Sequence, residues 1–192
     1  FQAYPDLLDL LAEIMGEAPR LAEHLSNRPS VLESVLSADF HAAIPDANKL
    51  LADCQRHLDD APAFEQKLDA SRRWNSDRRF QIGVQLLQGH LAPARAAEHL
   101  SDVADAVLRT LYPVVLDEFA LRHGRVAGAE FAVLALGKLG SRELMPTSDL
   151  DLVFLYRLPA SADASDGAKP LPASQYFGRL CQRLIAAVTA MT

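Results

Sequence analysis

Cysteine is nearly absent: Cys54 and Cys181 are the only two in 192 residues, 127 positions apart and in no metal-binding or redox spacing. That scarcity excludes a disulfide scaffold, suits a reducing cytoplasmic compartment, and marks both as expected core thiols. No apolar run reaches the length of a membrane-spanning helix, and no basic, apolar and small-residue leader opens the chain, so neither a membrane nor a secretory role is expected. Positive charge is also in deficit. The formal net charge is −6, which argues against a non-specific nucleic-acid binder. The six histidines, His24, His41, His57, His90, His99 and His123, show no H-x-x-x-H or H-E-x-x-H spacing and are expected at the surface or as caps. Gly137-Lys138 lacks the remainder of a P-loop. What is present is ordinary globular composition, 49% hydrophobic and 23% charged, enough for one or two domains with a real core.

Most of that composition reads as helix. A stripe of Leu7, Leu10, Leu11 and Ile14 follows Pro5-Asp6, and a second short helix carries Leu21, Ala22 and Leu25. A third is expected after Pro29-Ser30 with Val31, Leu32, Val35 and Leu36. Asp46 is placed to cap a helix bearing Leu50, Leu51, Cys54 and Leu58, and Pro62 to open another with Phe64 and Leu68. The one basic cluster, Arg72, Arg73, Arg78 and Arg79 around Trp74, is readable as a phosphate contact or as a solvated helix face with Trp74 docked. The solvated face suits the acidic balance better. A further helix runs through Phe80, Val84 and Leu87 to Gly89. Pro93 then opens a long one through Leu100, Val103, Val107 and Leu111, with a possible kink at Pro113 and a stop at His123-Gly124. Together these make a helical bundle.

The chemistry lies downstream. Phe131-Ala132-Val133-Leu134-Ala135-Leu136 is a short apolar run broken by Gly137, which reads as a buried strand. A compact turn, Gly137-Lys138-Leu139-Gly140-Ser141, is followed by a polar stretch closing at Pro146-Thr147-Ser148. Then comes Asp149-Leu150-Asp151-Leu152-Val153-Phe154-Leu155-Tyr156, rich in strand formers. On a strand, Asp149 and Asp151 share one face and Leu150, Leu152, Phe154 and Tyr156 the other. Two carboxylates roughly 7 Å apart along a strand repel by about 2 kcal/mol at an effective dielectric near 20. A hard divalent cation reverses that sign, and Mg²⁺ in phosphoryl-transfer sites is held by one or two carboxylates plus substrate phosphates. The small residues upstream let backbone N–H groups reach phosphate oxygens, with the Ser141 hydroxyl as a further donor. A phosphate grip joined to a D-x-D metal anchor is a nucleotidyl-transfer constellation. The alternative reading makes Asp149 a turn cap and Asp151 an exposed strand residue.

Gly137 to Leu144 (GKLGSREL) followed by Ser148 to Tyr156 (SDLDLVFLY) resembles the signature of glutamine synthetase adenylyltransferases, members of the polymerase-β-like nucleotidyltransferase superfamily. Ser141 stands where many members carry glycine, which fits the wider superfamily. The short gap from Ser141 to Asp149 resembles this family rather than the polymerases. The helical segments LAEHLSNRPSVLESVL and RRWNSDRRFQIGVQLLQGH also resemble those that precede the catalytic strands of the family's second, adenylylating half. The resemblance implies an α+β fold, predominantly α: a helical domain over residues 1–127, then over 128–192 the first part of a nucleotidyltransferase domain with a mixed sheet. It implies ATP as substrate and Mg²⁺ held by Asp149 and Asp151. Gly137, Lys138, Gly140, Ser141 and Ser148 would contact the nucleotide. It further implies transfer of AMP to a tyrosine of glutamine synthetase, regulated by the PII nitrogen-signalling protein and glutamine.

Two rivals remain on this reading, the AMP-removing half of the same bifunctional enzyme and a non-catalytic helical interaction module with a degenerate strand. Phe1 in place of an initiator methionine leads us to expect an excised fragment. In the resembled family the third carboxylate lies in a later D-x-R-L-R-P strand, absent here, so the fragment alone is expected to be inactive. Residues 159–174, rich in Ala, Ser, Asp and Pro, are expected to be a flexible insertion. A final helix over 175–190 carries Phe177, Leu180, Cys181, Leu184, Ile185 and Val188.

Overall fold

The computed structural model describes residues 11–12, 14–16, 19–27, 40 and 42–189. Of the first expected helix, residues 11–12 and 14–16 are described and helical, with Ile14 buried. The helix expected after Pro29 lies outside the described residues. Four helices follow: α1 (Pro19–Asn27), α2 (Ala47–Asp59), α3 (Phe64–Leu87) and α4 (Pro93–His123). Asp46 caps α2 by accepting the Lys49 N–H at 3.0 Å, and Leu50, Cys54 and Leu58 on one stripe are wholly buried.

The two longest helices each differ from a simple breaker count. The basic cluster lies inside α3, which runs unbroken for 24 residues, with Arg72 and Arg78 paired to the carboxylates of Asp69 and Asp53. α4 passes straight through Pro113 for 31 residues. Proline removes one backbone donor, and the packing on both sides of that turn holds the helix together. α4 is the central element: α2 and α3 pack against it, and so does the last helix, α6 (Ala173–Thr189). Its residues Ala96, Leu100, Val103, Val107, Leu111 and Val115 are all buried, a helical stripe through the core.

Strand β1 (Glu130–Ala135) pairs antiparallel with β2 (Leu152–Arg157), in register from Glu130 opposite Arg157 to Ala135 opposite Leu152. Among the described residues these two form the whole sheet. A mixed sheet needs a parallel neighbour, and no further strand is among the described residues. Phe131, Val133, Leu152 and Phe154 face the helices and are half-buried. An aromatic stack joins the layers: Tyr112 on Phe131 at 5.1 Å, Phe131 on Phe177 at 5.9 Å, and Phe177 on Tyr156 at 4.5 Å between centroids.

Four expectations are corrected. β1 is covered on one face only: Leu134 and Leu136 are 45% and 49% exposed, because a six-residue apolar run reads the same whether one face or two is covered. Ile185 lies on the solvent side of α6, 47% exposed, while Tyr176, outside the expected stripe, is buried. Residues 159–174 are not a loose insertion. Their backbone is tied to the end of α4 by the N–H groups of Asp166, Gly167 and Lys169, which donate to the carbonyls of Arg125, His123 and Arg122 at 3.0–3.1 Å. The His123 ring donates back to the Lys169 carbonyl at 2.6 Å, so His123 is a buried tie and not a surface residue. Ser165 and Leu171 are buried, and Ser165 Oγ accepts the Leu171 N–H at 3.0 Å. Absence of apolar periodicity does not prevent a compact loop from being fixed by its own hydrogen bonds. Cys54 is a core thiol, pushed up to about 11 by burial, and no helix among the described residues is long and apolar enough to cross a membrane.

Candidate active site

Sheet pairing continues one bond beyond β2, where the Leu136 N–H donates to the Asp151 carbonyl at 2.8 Å. That bond sets Asp151 beside the start of the glycine turn. Gly137 has φ +53°, and a Cβ placed on it would lie 2.3 Å from Asp151 Oδ2. The carboxylate therefore rests directly over the Gly137 backbone; the left-handed φ favours glycine there, and a side chain at this position would push the carboxylate tip away. Asp149 and Asp151 are exposed with half-buried Leu150 between them. This is the alternation of an extended chain, although both aspartates precede β2 and do not lie within it. Val153 and Leu155 continue the exposed face.

The turn itself is a single helical turn, α5 (Gly137–Gly140). Gly140 donates to the Leu136 carbonyl and Ser141 N–H to the Gly137 carbonyl, both at 3.0 Å, and Glu143 N–H donates to the Lys138 carbonyl at 2.7 Å. Buried Leu139 anchors the turn from below. A Cβ on Gly140 would lie 2.6 Å from the Ala135 carbonyl oxygen, so the turn packs against the end of β1 backbone to backbone. Lys138 is exposed, its Nζ 3.5 Å from Met145 Sδ. The Ser141 hydroxyl donates to Glu143 Oε2 at 2.9 Å. Ser148 closes its own turn, accepting the Met145 N–H on Oγ at 3.0 Å and donating its N–H to the Met145 carbonyl at 3.0 Å. The structure thus brings Gly137, Gly140 and Asp151 into one place, while the hydroxyls of Ser141 and Ser148 are engaged in holding the loop.

Reading the sequence missed Glu143, although an acid two residues after a turn serine was a usable signal. It also missed what holds the link between turn and aspartates. Arg142 has φ +61° and is the one non-glycine residue with positive φ among those described. Its guanidinium donates to Asp102 of α4, and that bond raises the Arg142 pKa above its ordinary value. The basic cluster is a structural network. Trp74 Nε1 and Arg78 both donate to Asp53 Oδ2 at 2.7 Å. Against burial, which pushes the Asp53 carboxyl up, these two bonds hold it below the usual range. Arg72 pairs with Asp69 at 2.7 Å, and Arg79 donates to the Pro146 carbonyl at 2.6 Å.

No group of three or more His, Cys, Asp or Glu placed to bind a metal occurs among the described residues. Of the carboxylates near the turn, Glu143 accepts from the Ser141 hydroxyl, while Asp151 and the neighbouring Asp149 are exposed. Two carboxylates with open surroundings fit Mg²⁺, which takes one or two and fills its remaining positions with water and phosphate oxygens. Beside the site, α4 and β1 leave a groove of about 500 Å³ between Asp105, Leu108, Tyr112, Phe131 and Val133.

Known proteins match the chain along nearly its whole length. The family described as glutamate-ammonia ligase adenylyltransferase matches residues 8–192. Among curated relatives, bifunctional glutamine synthetase adenylyltransferase/adenylyl-removing enzymes are similar throughout the chain. That of Xanthobacter autotrophicus is 45% identical over 190 residues, covering 98% of this chain and 19% of the relative. That of Mesorhizobium japonicum is 46% identical over 191 residues, covering 100% and 19%, and that of Brucella suis 43% over 191 residues with the same shares. The chain spans about a fifth of the length of these relatives.

Proposed function

The chain belongs to the glutamate-ammonia ligase adenylyltransferase family, and from that premise we propose that it forms part of an enzyme that transfers AMP from ATP to a tyrosine of glutamine synthetase. The observation that carries the proposal is the Asp151 carboxylate lying over Gly137. It joins a metal anchor to a turn that a phosphate can approach. Residues 1–127 are read as the helical unit and 128–192 as the opening part of the nucleotidyltransferase unit.

In this reading Asp149 and Asp151 would hold Mg²⁺, which supplies charge neutralisation to the phosphates and the leaving pyrophosphate. The start of the turn at Gly137 presents no side chain of its own to a phosphate, Gly140 lets the turn seat against the end of β1, and the exposed Lys138 ammonium adds positive charge beside it. Ser141 contributes a donor once its hydrogen turns from Glu143 toward a phosphate oxygen. The tyrosine hydroxyl gives up its proton to solvent as its oxygen forms a bond to the α-phosphorus, the bond to the bridging oxygen breaks, and pyrophosphate leaves. Positioning and electrostatics account for most of such a step. A third carboxylate is assigned to the four-fifths of the relatives' length outside this chain, so the chain alone is expected to be inactive. Control by the PII protein and by glutamine, and a cytoplasmic location, belong to the same proposal through the family.

The test is incorporation of radiolabelled AMP into glutamine synthetase by the full-length protein and its Asp151→Asn variant. The substitution keeps shape and removes one charge, and should lower transfer by two or more orders of magnitude at an unchanged melting temperature. Undiminished transfer would rule out Asp151 as a metal anchor. Release of AMP from modified glutamine synthetase, measured on the same pair, separates the adding from the removing activity. Loss confined to release would assign the chain to the removing half.

A further inference from the structure

The two aspartates are held in different ways. Asp151 is pinned by the sheet through its carbonyl bond to Leu136. Asp149 lies beyond that last ladder bond, at the end of the loop that leaves α5. That loop is fastened to the helical bundle at successive points. Arg142 reaches Asp102, whose side chain is only 10% exposed on α4. The neighbouring Ser101 Oγ lies 3.4 Å from the Leu144 N–H, and the Leu144 side chain is wholly buried. Arg79 of α3 donates to the Pro146 carbonyl at 2.6 Å, and Ser148 closes the turn just before Asp149.

We propose that Asp102, Arg142 and Arg79 are positioning residues that fix the loop 142–148 on the bundle and thereby set Asp149 beside Asp151. This inference rests on the adenylyl-transfer reading above. The Arg142 backbone supports it. A left-handed conformation is unfavourable for a residue with a Cβ, so it persists only where surrounding contacts over-determine it, and here the contact is a guanidinium on a nearly buried carboxylate. Hydrogen bonds to ionised groups are the strong, directional ones. α5 does not depend on this clamp, because Leu139 and the Ala135 carbonyl seat it from the other side. Loss of the clamp should therefore disturb the metal position and leave the phosphate turn in place.

The experiment uses the full-length protein with Arg142→Asn, Arg142→Lys and Asp151→Asn. Asparagine tolerates the left-handed backbone and cannot reach Asp102, so this variant removes the tie without adding strain. Mn²⁺ binding in the presence of ATP is followed by electron paramagnetic resonance, amide exchange by mass spectrometry, and AMP transfer by radiolabel. Arg142→Asn should weaken Mn²⁺ binding about tenfold and speed exchange across residues 143–149, with α4 unchanged. It should also lower kcat about 10- to 100-fold, the scale expected of an ångström-size misplacement, while KM for ATP stays within threefold. Arg142→Lys, which keeps the charge and loses the fork, should fall between. Wild-type Mn²⁺ binding and exchange in Arg142→Asn would overturn the clamp. If Asp151→Asn itself keeps wild-type metal binding and transfer, the site reading fails instead. Should Arg142→Asn fail to fold, Arg79→Gln, on a different helix, reads the same loop by the same measurements, and unchanged exchange there would overturn the proposal.

Discussion

Gly137→Ala isolates the contact on which the candidate site turns. The added Cβ would lie 2.3 Å from Asp151 Oδ2, where ordinary contact begins at 3.4 Å. The carboxylate must therefore retreat by about 1 Å, and a misplacement of that size near the chemistry costs on the order of 100-fold in rate, or about 2.7 kcal/mol. The positive φ adds about 1 kcal/mol of backbone strain for alanine. With a stability of about 5 kcal/mol or more, losing about 1 kcal/mol leaves nearly every molecule folded, so unfolding cannot produce a 100-fold loss. Gly89 provides the control: its φ is +71° and a Cβ there would meet nothing within 4 Å. Gly89→Ala carries the same strain without the collision. In the full-length protein, AMP transfer to glutamine synthetase should fall about 100-fold for Gly137→Ala and stay within twofold for Gly89→Ala, with similar melting temperatures. Equal activities for the two variants would refute the placement of Asp151 by Gly137.

Gly167→Ala would set a Cβ 2.1 Å from the Gly124 nitrogen and the His123 carbonyl carbon. Backbone cannot yield as a side-chain tip does, so a loss of about 1–3 kcal/mol and early proteolytic cleavage within 159–172 are expected, and a loop that still resists protease would contradict the tie to α4. Burial first, and then the Arg95 charge, lower the pKa of His99, whose Nδ1 is buried without a partner and 3.9 Å from Asp102 Oδ2. Below about pH 6.5 the unfolded chain binds a proton that the folded chain refuses, so stability should fall as pH drops from there toward the depressed folded-state value. Urea melts at pH 7 and pH 5.5 should show this extra loss in the wild type and not in His99→Gln. Cys54, raised to about 11 by burial, should resist thiol reagents at pH 8 until the protein is unfolded; labelling before Cys181 in the native state would count against its burial.

How far the sequence was legible follows the distance between interacting residues. The D-x-D segment, the glycine turn and the α4 stripe are local patterns, and period and breaker residues specify them. Asp46 could be read as a cap because its partner is three residues away. The continuous α3 could not, since its middle carries Arg78, whose carboxylate partner Asp53 lies 25 residues earlier. The exposure of Leu134 and Leu136 was hidden for a different reason, because an apolar run records what can be buried and not what covers it. The ordered loop after β2 was misread because its stability lies in carbonyls at the end of α4, about 40 residues earlier.

The same division of distance runs through the candidate site. The groups proposed for chemistry lie within one short stretch, from Gly137 to Asp151, since a turn and the start of a strand suffice to bring backbone and carboxylate together. The groups that place them come from 40 and 67 residues upstream, Asp102 for Arg142 and Arg79 for Pro146. A loop of irregular backbone has many conformations of similar energy, and confining each residue costs about 1–2 kcal/mol of entropy. Contacts within the loop alone, such as Ser148 to Met145, restrict its tip without orienting it relative to the sheet. Only an external attachment can do that, and the long helices α3 and α4 are rigid enough to supply it. The helical bundle is therefore part of the site's geometry. A transplanted 130–157 segment, carrying every proposed catalytic residue and neither clamp partner, should bind Mn²⁺ more weakly than the same segment within the full-length protein.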